Sequence, residues 1–175
     1  MKQNLKYIIP AIILLLGIFG VFSHRFDLTK EKRYTLSDAT VETLKSVKEP
    51  LTVEVYLEGD FPASFKQLRN ETQFLLEEFR KINPKIDYKF IDPIATKMSQ
   101  DTLQAMGMQP SMLPDMKDGK VSQIVLFPYA ALKYKGYGTS ISLITNQMGI
   151  DAAEQLTKSI ENLEFNFAST IKSLV

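Results

Sequence analysis

The chain has 175 residues, with 21 Lys and Arg against 20 Asp and Glu, no Cys and one His. This length allows one ordinary domain and an additional segment, and the balanced charge gives no basic field that would favour nucleic acid. Without Cys the chain has no disulfide, thiolate metal ligand or dithiol redox pair, and a zinc site would usually need several imidazoles or thiolates. We therefore expect no nucleic-acid partner, no metal and no cofactor.

The beginning of the chain differs in composition from the rest. From Tyr7 to Ser23 the sequence YIIPAIILLLGIFGVFS has no charge, and it follows Lys2 and Lys6. At about 1.5 Å per residue this segment reaches about 25 Å, the lower end of what crosses a bilayer core. Residues 1–23 are therefore predicted to be a membrane anchor, a transmembrane helix that contacts the lipid bilayer through residues 7–23.

Two alternatives to an anchor remain for this segment. Val21-Phe22-Ser23 weakly fits the small-residue site of a cleaved secretory signal, and a core helix that is apolar on every side would need apolar neighbours that the chain hardly supplies. Positive residues flank both ends, so charge alone does not settle the orientation. A short basic N-terminus ordinarily stays inside, which would leave the remaining domain outside.

The next part of the chain combines a charged segment with a helix start. Residues 24–35 are charged and lack periodicity, and they are predicted to be a juxtamembrane stalk. A helix is predicted to follow, with Ser37 at its N-cap and a hydrophobic staple between Leu36 and Val41. It ends before Pro50, because the residue before a proline disfavours helical backbone.

A strand, a helix and a second strand are predicted over the following 41 residues. Residues 51–58 alternate apolar and polar side chains, Pro62 and Ser64 open a helix that Asn83-Pro84 ends, and residues 86–91 form the second strand. The apolar stripe of the helix consists of Phe65, Leu68, Leu75, Leu76, Phe79 and Ile82, with Thr72 bridging the gap. This order predicts a βαβ unit with parallel strands.

The middle of the chain is predicted to contain a short helix, a loop and a hairpin. Residues 96–106 suit the helix, and residues 107–120, rich in Met, Pro and Gly, suit a loop. Two runs at 121–135 and 139–144 flank Gly136-Tyr137-Gly138, which is typical of a β-hairpin. Because Pro128 cannot donate to a ladder, the first run should be bulged there, broken in two, or on an edge.

The last predicted element is one long amphipathic helix. Its apolar positions are Leu156, Ile160, Leu163, Phe167, Ile171 and Leu174. A βαβ unit, an antiparallel hairpin and a C-terminal helix together are the elements of a thioredoxin-like α/β fold. We predict this fold for residues 36–175.

The turn after the first strand is where a redox thioredoxin carries its cysteines, at a helix N-terminus. This chain has Asp60-Phe61-Pro62-Ala63-Ser64 there. As a nucleophile Ser64 would need a base, and the only His is His24 in the stalk, so we interpret Ser64 as a helix cap. We expect no catalytic residue and no enzymatic activity.

Four apolar residues form the candidate interaction surface. Phe61 and Pro62 lie at the turn after the first strand, and Phe167 and Ile171 lie on the terminal helix. Part of the terminal stripe should cover the sheet. Its far end would be an aggregation-prone patch in water, so we expect it to belong to the interface with a second domain of the protein.

Four short segments resemble one protein family. They are RYTLS (33–37), VEVYLEGDFP (53–62), LLEEFR (75–80) and FIDP (90–93). These segments are similar to the N-terminal region of the gliding-motility-associated, substrate-binding-like accessory proteins of ABC transporters. The resemblance covers the anchor and essentially all of residues 24–175, but no binding-residue motif of the family can be carried over to this chain.

The resemblance implies a membrane-anchored, extracytoplasmic and non-enzymatic component that works with an ABC permease and its ATPase in gliding and surface secretion. It implies a cell inner membrane location, with the soluble domain in the periplasm. Members of the family continue into a second α/β domain and a C-terminal membrane segment, so we expect this chain to be truncated before that domain. A stand-alone periplasmic ligand-binding module, an enzyme that lost its catalytic residues and a structural spacer remain as alternatives.

Overall fold

The computed structural model describes residues 35–117, 120–145 and 149–175, and Leu36–Val175 forms a mixed α/β unit. The helices are α1 (Asp38–Ser46), α2 (Ala63–Ile82), α3 (Gln100–Ala105), α4 (Ala152–Glu161) and α5 (Leu163–Leu174). The strands are β1 (Leu51–Val55), β2 (Ile86–Phe90), β3 (Ser111–Lys117), β4 (Lys120–Leu126), β5 (Tyr129–Tyr134) and β6 (Tyr137–Ser142).

The predicted anchor at residues 1–23 lies outside the described residues, as does all of the predicted stalk except its last residue. His24 lies outside them too. Within the described ranges, no helix has both the length and the apolar character that crossing a bilayer requires.

Helix α1 begins where the sequence predicts. Ser37 occupies its N-cap, and the Ser37 Oγ accepts a hydrogen bond from the backbone N–H of Thr40 at 3.3 Å. At the other end, the Asn83 side-chain amide donates to the carbonyl oxygens of Leu44 and Val47 at 2.8 and 2.9 Å. The end of α2 therefore supplies a donor to carbonyl groups in the last turn of α1, where the α-helical hydrogen bonds end.

Helix α2 and its flanking strands form the predicted βαβ unit. Strands β1 and β2 pair in parallel, with Leu51 opposite Ile86. The buried stripe of α2 consists of Phe65, Leu68, Thr72, Leu76 and Phe79. The interpretation of Ser64 as the cap is wrong, because Pro62 occupies the N-cap and no side chain supplies a cap hydrogen bond. The fixed φ of proline favours helix initiation without a side-chain acceptor.

The two serines at helix starts permit a matched stability test. Ser37→Ala is expected to lower the free energy of unfolding by about 1 kcal/mol, because the N–H of Thr40 loses its acceptor. Ser64→Ala is the control and should leave the free energy nearly unchanged. Denaturant unfolding of both variants measures the difference, and equal losses would contradict the assigned cap.

The main sheet has the strand order β2-β1-β5-β6, with β5 antiparallel to both β1 and β6. The predicted hairpin is confirmed as β5 and β6, but its turn lies earlier than Gly136-Tyr137-Gly138. Tyr134 pairs with Tyr137, and the two residues between them have positive φ, 49° at Lys135 and 81° at Gly136. Two-residue hairpin turns of this kind match the twist of the flanking strands.

The prediction of a loop over residues 107–120 is wrong from Ser111 onward. Residues Ser111–Lys117 form β3, which pairs antiparallel with β4 in a separate two-stranded sheet. Pro128 breaks the next run in two, one of the three predicted outcomes: β4 ends at Leu126, and β5 starts at Tyr129 in the other sheet. A proline has no N–H to continue a ladder across this point.

The prediction of a single terminal helix is also wrong, because the C-terminal segment forms two helices, α4 and α5, that meet at Asn162. The Asn162 side-chain amide donates to the carbonyl oxygen of Lys158 at 2.9 Å. Ile160 and Leu163 keep a helical spacing of three residues across the break, so the apolar pattern continues where the helix does not.

The two faces of the main sheet support separate apolar clusters, because successive side chains of a strand point to opposite faces. Val53 and Val55 of β1 pack into the larger cluster, with side chains of α1, α2, α4 and α5. Tyr56 packs into the smaller one, with Leu103 of α3 and Met108. The sheet therefore has a core on both faces.

Candidate functional site

The turn after β1 borders a small pocket at the carboxyl ends of β1 and β2. We call it the β1-turn pocket; it is lined by residues 56–61, 92–94 and 124–127 and has a volume of about 230 Å³. The last of these segments brings β4, from the small sheet, over the turn. Ligand pockets commonly occupy about 300–1,000 Å³, so this pocket lies below the usual range.

The carboxylates that line this pocket have partners within the domain. Glu58 accepts from Nε and Nη2 of Arg69 at 3.1 and 2.7 Å, and Asp60 lies 3.4 Å from the Lys66 ammonium. Asp92 Oδ1 accepts from two backbone N–H groups, two and three residues further along the chain, at 2.8 and 3.0 Å. These carboxylates therefore stabilise loop and helix geometry.

Gly59 fixes how closely the turn approaches the loop after β2. Its φ is +136°, and a Cβ added there would lie 3.2 Å from Asp92 Oδ2. A side chain at this position would need a backbone conformation that only glycine adopts readily, and the carboxylate would have to move. The sequence Glu58-Gly59-Asp60 therefore suits a tightly packed turn.

The structure places most of the candidate interaction surface in the core. Phe61, Phe167 and Ile171 belong to the larger apolar cluster, with Phe167 and Ile171 fully buried, and only Pro62 of the four is exposed. The exposed aromatic side chain of α5 is Phe165, at 71% exposure. Periodicity alone could not distinguish an apolar stripe that covers the sheet from one that contacts a partner. In the structure, Phe167 and Ile171 of the terminal stripe pack into the core.

A groove between α1 and α5 is larger than the β1-turn pocket. This α1–α5 groove is lined by residues of 37–46 and 161–172 and has a volume of about 650 Å³. Small side chains such as Ala39 and Ala168 line part of it, and Phe165 lies at its wall. The sequence did not indicate this groove, because its small and polar residues resemble those of an ordinary solvated helix face.

A second site that the sequence did not reveal lies on the other face of the sheet. Glu54, in the central strand β1, is only 8% exposed. Its Oε2 accepts from the Tyr56 hydroxyl at 3.0 Å and from Lys133 Nζ at 2.9 Å, and its Oε1 pairs with Lys89 Nζ at 2.9 Å. We call these four residues the Glu54 cluster; it joins β2, β1 and β5.

The Glu54 cluster holds its acidic groups in fixed protonation states. Burial raises the pKa of Glu54, but hydrogen bonds from Lys133, Lys89 and Tyr56 outweigh it and lower the pKa from 4.5 to about 2. Burial and the hydrogen bond to Glu54 raise the pKa of Tyr56 from 10.0 to about 12. Near pH 7 the carboxylate is charged and the phenol is neutral, so neither pKa suits proton transfer at that pH.

A family model described as a domain of unknown function (DUF7088) matches residues 30–133. A protein of Borreliella burgdorferi, described as an uncharacterized protein, is 25% identical over 173 residues, which are 98% of this chain and 31% of that protein. The chain thus spans about a third of the length of this relative. No solved structure matches the chain. Because the family model covers more than half of the sequence, the chain belongs to the DUF7088 family.

Proposed function

We propose that this chain is a non-enzymatic, membrane-anchored extracytoplasmic component of an ABC-transporter complex associated with bacterial gliding motility and surface secretion. The segments VEVYLEGDFP and FIDP support the relationship to such accessory proteins. The uncharged segment from Tyr7 to Ser23 supports an anchor in the inner membrane. Such an anchor would hold the domain in the periplasm beside a permease and its ATPase.

We also propose that the domain has a thioredoxin-like fold. The strand order β2-β1-β5-β6, with β1 parallel to β2 and antiparallel to β5, supports this assignment. The β5–β6 hairpin followed by α4 and α5 supports it further. In this proposal the β3–β4 hairpin is an insertion before the second pair of strands.

The observation that carries the functional proposal is the composition and packing of the turn after β1. Where a redox thioredoxin has its cysteines, Phe61 is buried and Glu58 and Asp60 have basic partners on α2. The side chains of this turn are engaged in packing and ion pairing. A domain of this kind suits a role that depends on its surface and its position.

A stand-alone periplasmic ligand-binding module is the second candidate function. The volume of the α1–α5 groove, about 650 Å³, favours it, since this is within the range of ligand pockets. Thermal unfolding with candidate ligands distinguishes this function from a spacer. A ligand at 100 times its Kd should stabilise the domain by about 2.7 kcal/mol, whereas a spacer should show no shift with any of them.

The anchored-component proposal is tested by removing the apolar segment. The full chain is expected in the membrane fraction, cross-linked to the permease, and deletion of residues 7–23 should release it and abolish the cross-link. The anchor raises the effective concentration of the domain beside its partner, so a weak contact is lost with it. As a control, an unrelated transmembrane segment of equal length should restore both properties.

Two outcomes would contradict this proposal. One is a chain lacking residues 7–23 that stays in the membrane fraction and bound to the permease. The other is a full chain in the membrane that gives no cross-link to the permease or the ATPase.

A further inference from the structure

Strand β6 is an edge of the main sheet. Its inner side pairs with β5, and among the described strands none pairs with its outer side. An edge strand offers unpaired N–H and C=O groups to another strand. The residues whose backbone groups face outward decide which pairing is possible.

The hydrogen bonds of β5 define the inward-facing residues of β6. Tyr129 directs its carbonyl oxygen to β1, where it accepts from the Tyr56 N–H at 2.8 Å. Residues of an antiparallel strand alternate between their two neighbours, so alternate residues of β5 from position 130 bond to β6. The bond from the Leu143 N–H to the Pro128 carbonyl oxygen, 2.7 Å, follows the same alternation.

The register then gives the outward-facing residues. Positions 130, 132 and 134 of β5 pair with Ile141, Thr139 and Tyr137 of β6. The three residues whose backbone groups face the free edge are therefore Gly138, Ser140 and Ser142. They are evenly spaced, and Ser140 lies midway between the other two.

The edge of β6 has no charge, proline or bulge that would prevent strand pairing, and the Ser140 side chain is turned to the segment after α3, where its hydroxyl donates to the Met106 carbonyl oxygen at 2.8 Å. The sequence of β6 is YGTSIS, and its six residue pairs with β5 run without a bulge. Strand β2, at the opposite edge, contains Asp87 and Lys89 and is followed by Pro93. Charges, prolines and bulges are common means of blocking edge pairing, so the two edges differ in how readily they accept a strand.

We propose that two copies of this chain pair through β6, antiparallel, about a two-fold axis at Ser140. In this register Ser140 lies opposite its own copy, and Gly138 lies opposite Ser142, so all three outward residues pair at once. No charged residue of β6 faces a like charge, since the strand has none. Tyr137, which is 75% exposed, gains a cross-strand neighbour at position 143 of the other copy.

The proposed contact is small. A single six-residue strand pair buries much less than the 1,200–2,000 Å² typical of stable interfaces. The dimer should therefore dissociate on dilution in detergent. Confinement of both copies to one membrane, which rests on the proposed anchor, would favour it through effective concentration.

The absence of cysteine makes a single-cysteine experiment direct. Residues that form a hydrogen-bonded antiparallel pair have Cα atoms about 5.5 Å apart, a separation that a disulfide spans. Full-length Ser140→Cys, in micelles with oxidised glutathione, is expected to form a disulfide dimer at least tenfold faster than Tyr137→Cys. Position 137 is more exposed, but in the two-fold pair its two copies lie about 20 Å apart.

A charge on the edge provides the second measurement. Thr139→Lys in the Ser140→Cys chain is expected to slow cross-linking at least tenfold, because Thr139 is exposed beside the free edge. Gln67→Lys, with the same charge change at an exposed position of α2, should leave the rate unchanged. Equal cross-linking rates for Ser140→Cys and Tyr137→Cys would overturn the proposal, as would an equal effect of the two lysines.

Folding of each variant is checked by circular dichroism. If Ser140→Cys fails to fold, sedimentation of the unmodified chain and of Thr139→Lys over a concentration series replaces cross-linking. A monomer–dimer equilibrium that Thr139→Lys abolishes supports the proposal. A monomer at every concentration, or a dimer unaffected by this lysine, refutes it.

Discussion

Phe167→Ala is expected to lower the free energy of unfolding by about 3–5 kcal/mol. Phe167 is fully buried and packs edge-on against Phe79, with ring centroids 6.4 Å apart. Truncation would leave a cavity between α5, α2 and the sheet. Small domains are stable by only about 5–15 kcal/mol, so this variant should lose a large part of its total stability.

Phe165→Ala is the matched control, since it removes the same ring from the same helix two residues away. Phe165 is 71% exposed, and its truncation should change the free energy of unfolding by less than about 0.5 kcal/mol. Urea unfolding of the full chain in micelles, followed by far-ultraviolet circular dichroism, gives both values. Similar losses at the two positions would show that α5 does not use Phe167 to cover the sheet.

Acidification is expected to remove a stabilising contribution of Glu54. Its pKa is lowered from 4.5 to about 2, so the folded state favours the carboxylate. The contribution is fully present above pH 4.5 and is lost as the pH falls toward 2. Each pKa unit is worth about 1.4 kcal/mol, so a shift from 4.5 to about 2 gives at most about 3.5 kcal/mol. Because the lysine partners are half exposed, solvent screens their charges, and we expect a contribution of about 2 kcal/mol.

The charge of Glu54 is isolated by a neutral isostere. Glu54→Gln is expected to lower stability by about 2 kcal/mol at pH 7 and to flatten the stability profile between pH 4.5 and 2. Glu58→Gln, which removes the carboxylate partner of Arg69, should keep the acid-dependent slope of the unmodified chain. Urea unfolding at several pH values tests both, and an unchanged slope in Glu54→Gln would assign the acid sensitivity to other groups.

Sequence patterns within single elements were sufficient to predict much of the secondary structure of the domain. Ser37 predicted the start of α1 because capping depends on a residue and the N–H groups just after it. The alternation in β1 and the stripe of α2 predicted the βαβ unit, since both patterns are contained in the element itself. The hairpin was predicted too, although Lys135 at positive φ concealed the position of its turn.

Features that depend on residues far apart in the sequence were not predicted. Strand β3 has little strand character alone and becomes extended by pairing with β4. The alternation in β1 did not indicate that Glu54 is enclosed, because the lysines that pair with it come from β2 and β5. Phe165 and Phe167 have the same residue type on one helix, and only the tertiary packing distinguishes the exposed ring from the buried one.

The position of β1 in the sheet has a consequence for synthesis of the chain. Leu51 pairs on one side with Ile86 and on the other with Tyr134, so the second loop to close is more than twice as long as the first. Each doubling of loop length costs only about 0.6 kcal/mol in closure entropy. The greater constraint is the order in which residues emerge from the ribosome. When only the residues up to the end of β4 have emerged, β2 is the only neighbour of β1 in the final sheet that is available. The other side of β1, which later pairs with β5, is then an unpaired strand edge. A nascent chain can close that edge only after β5 has emerged.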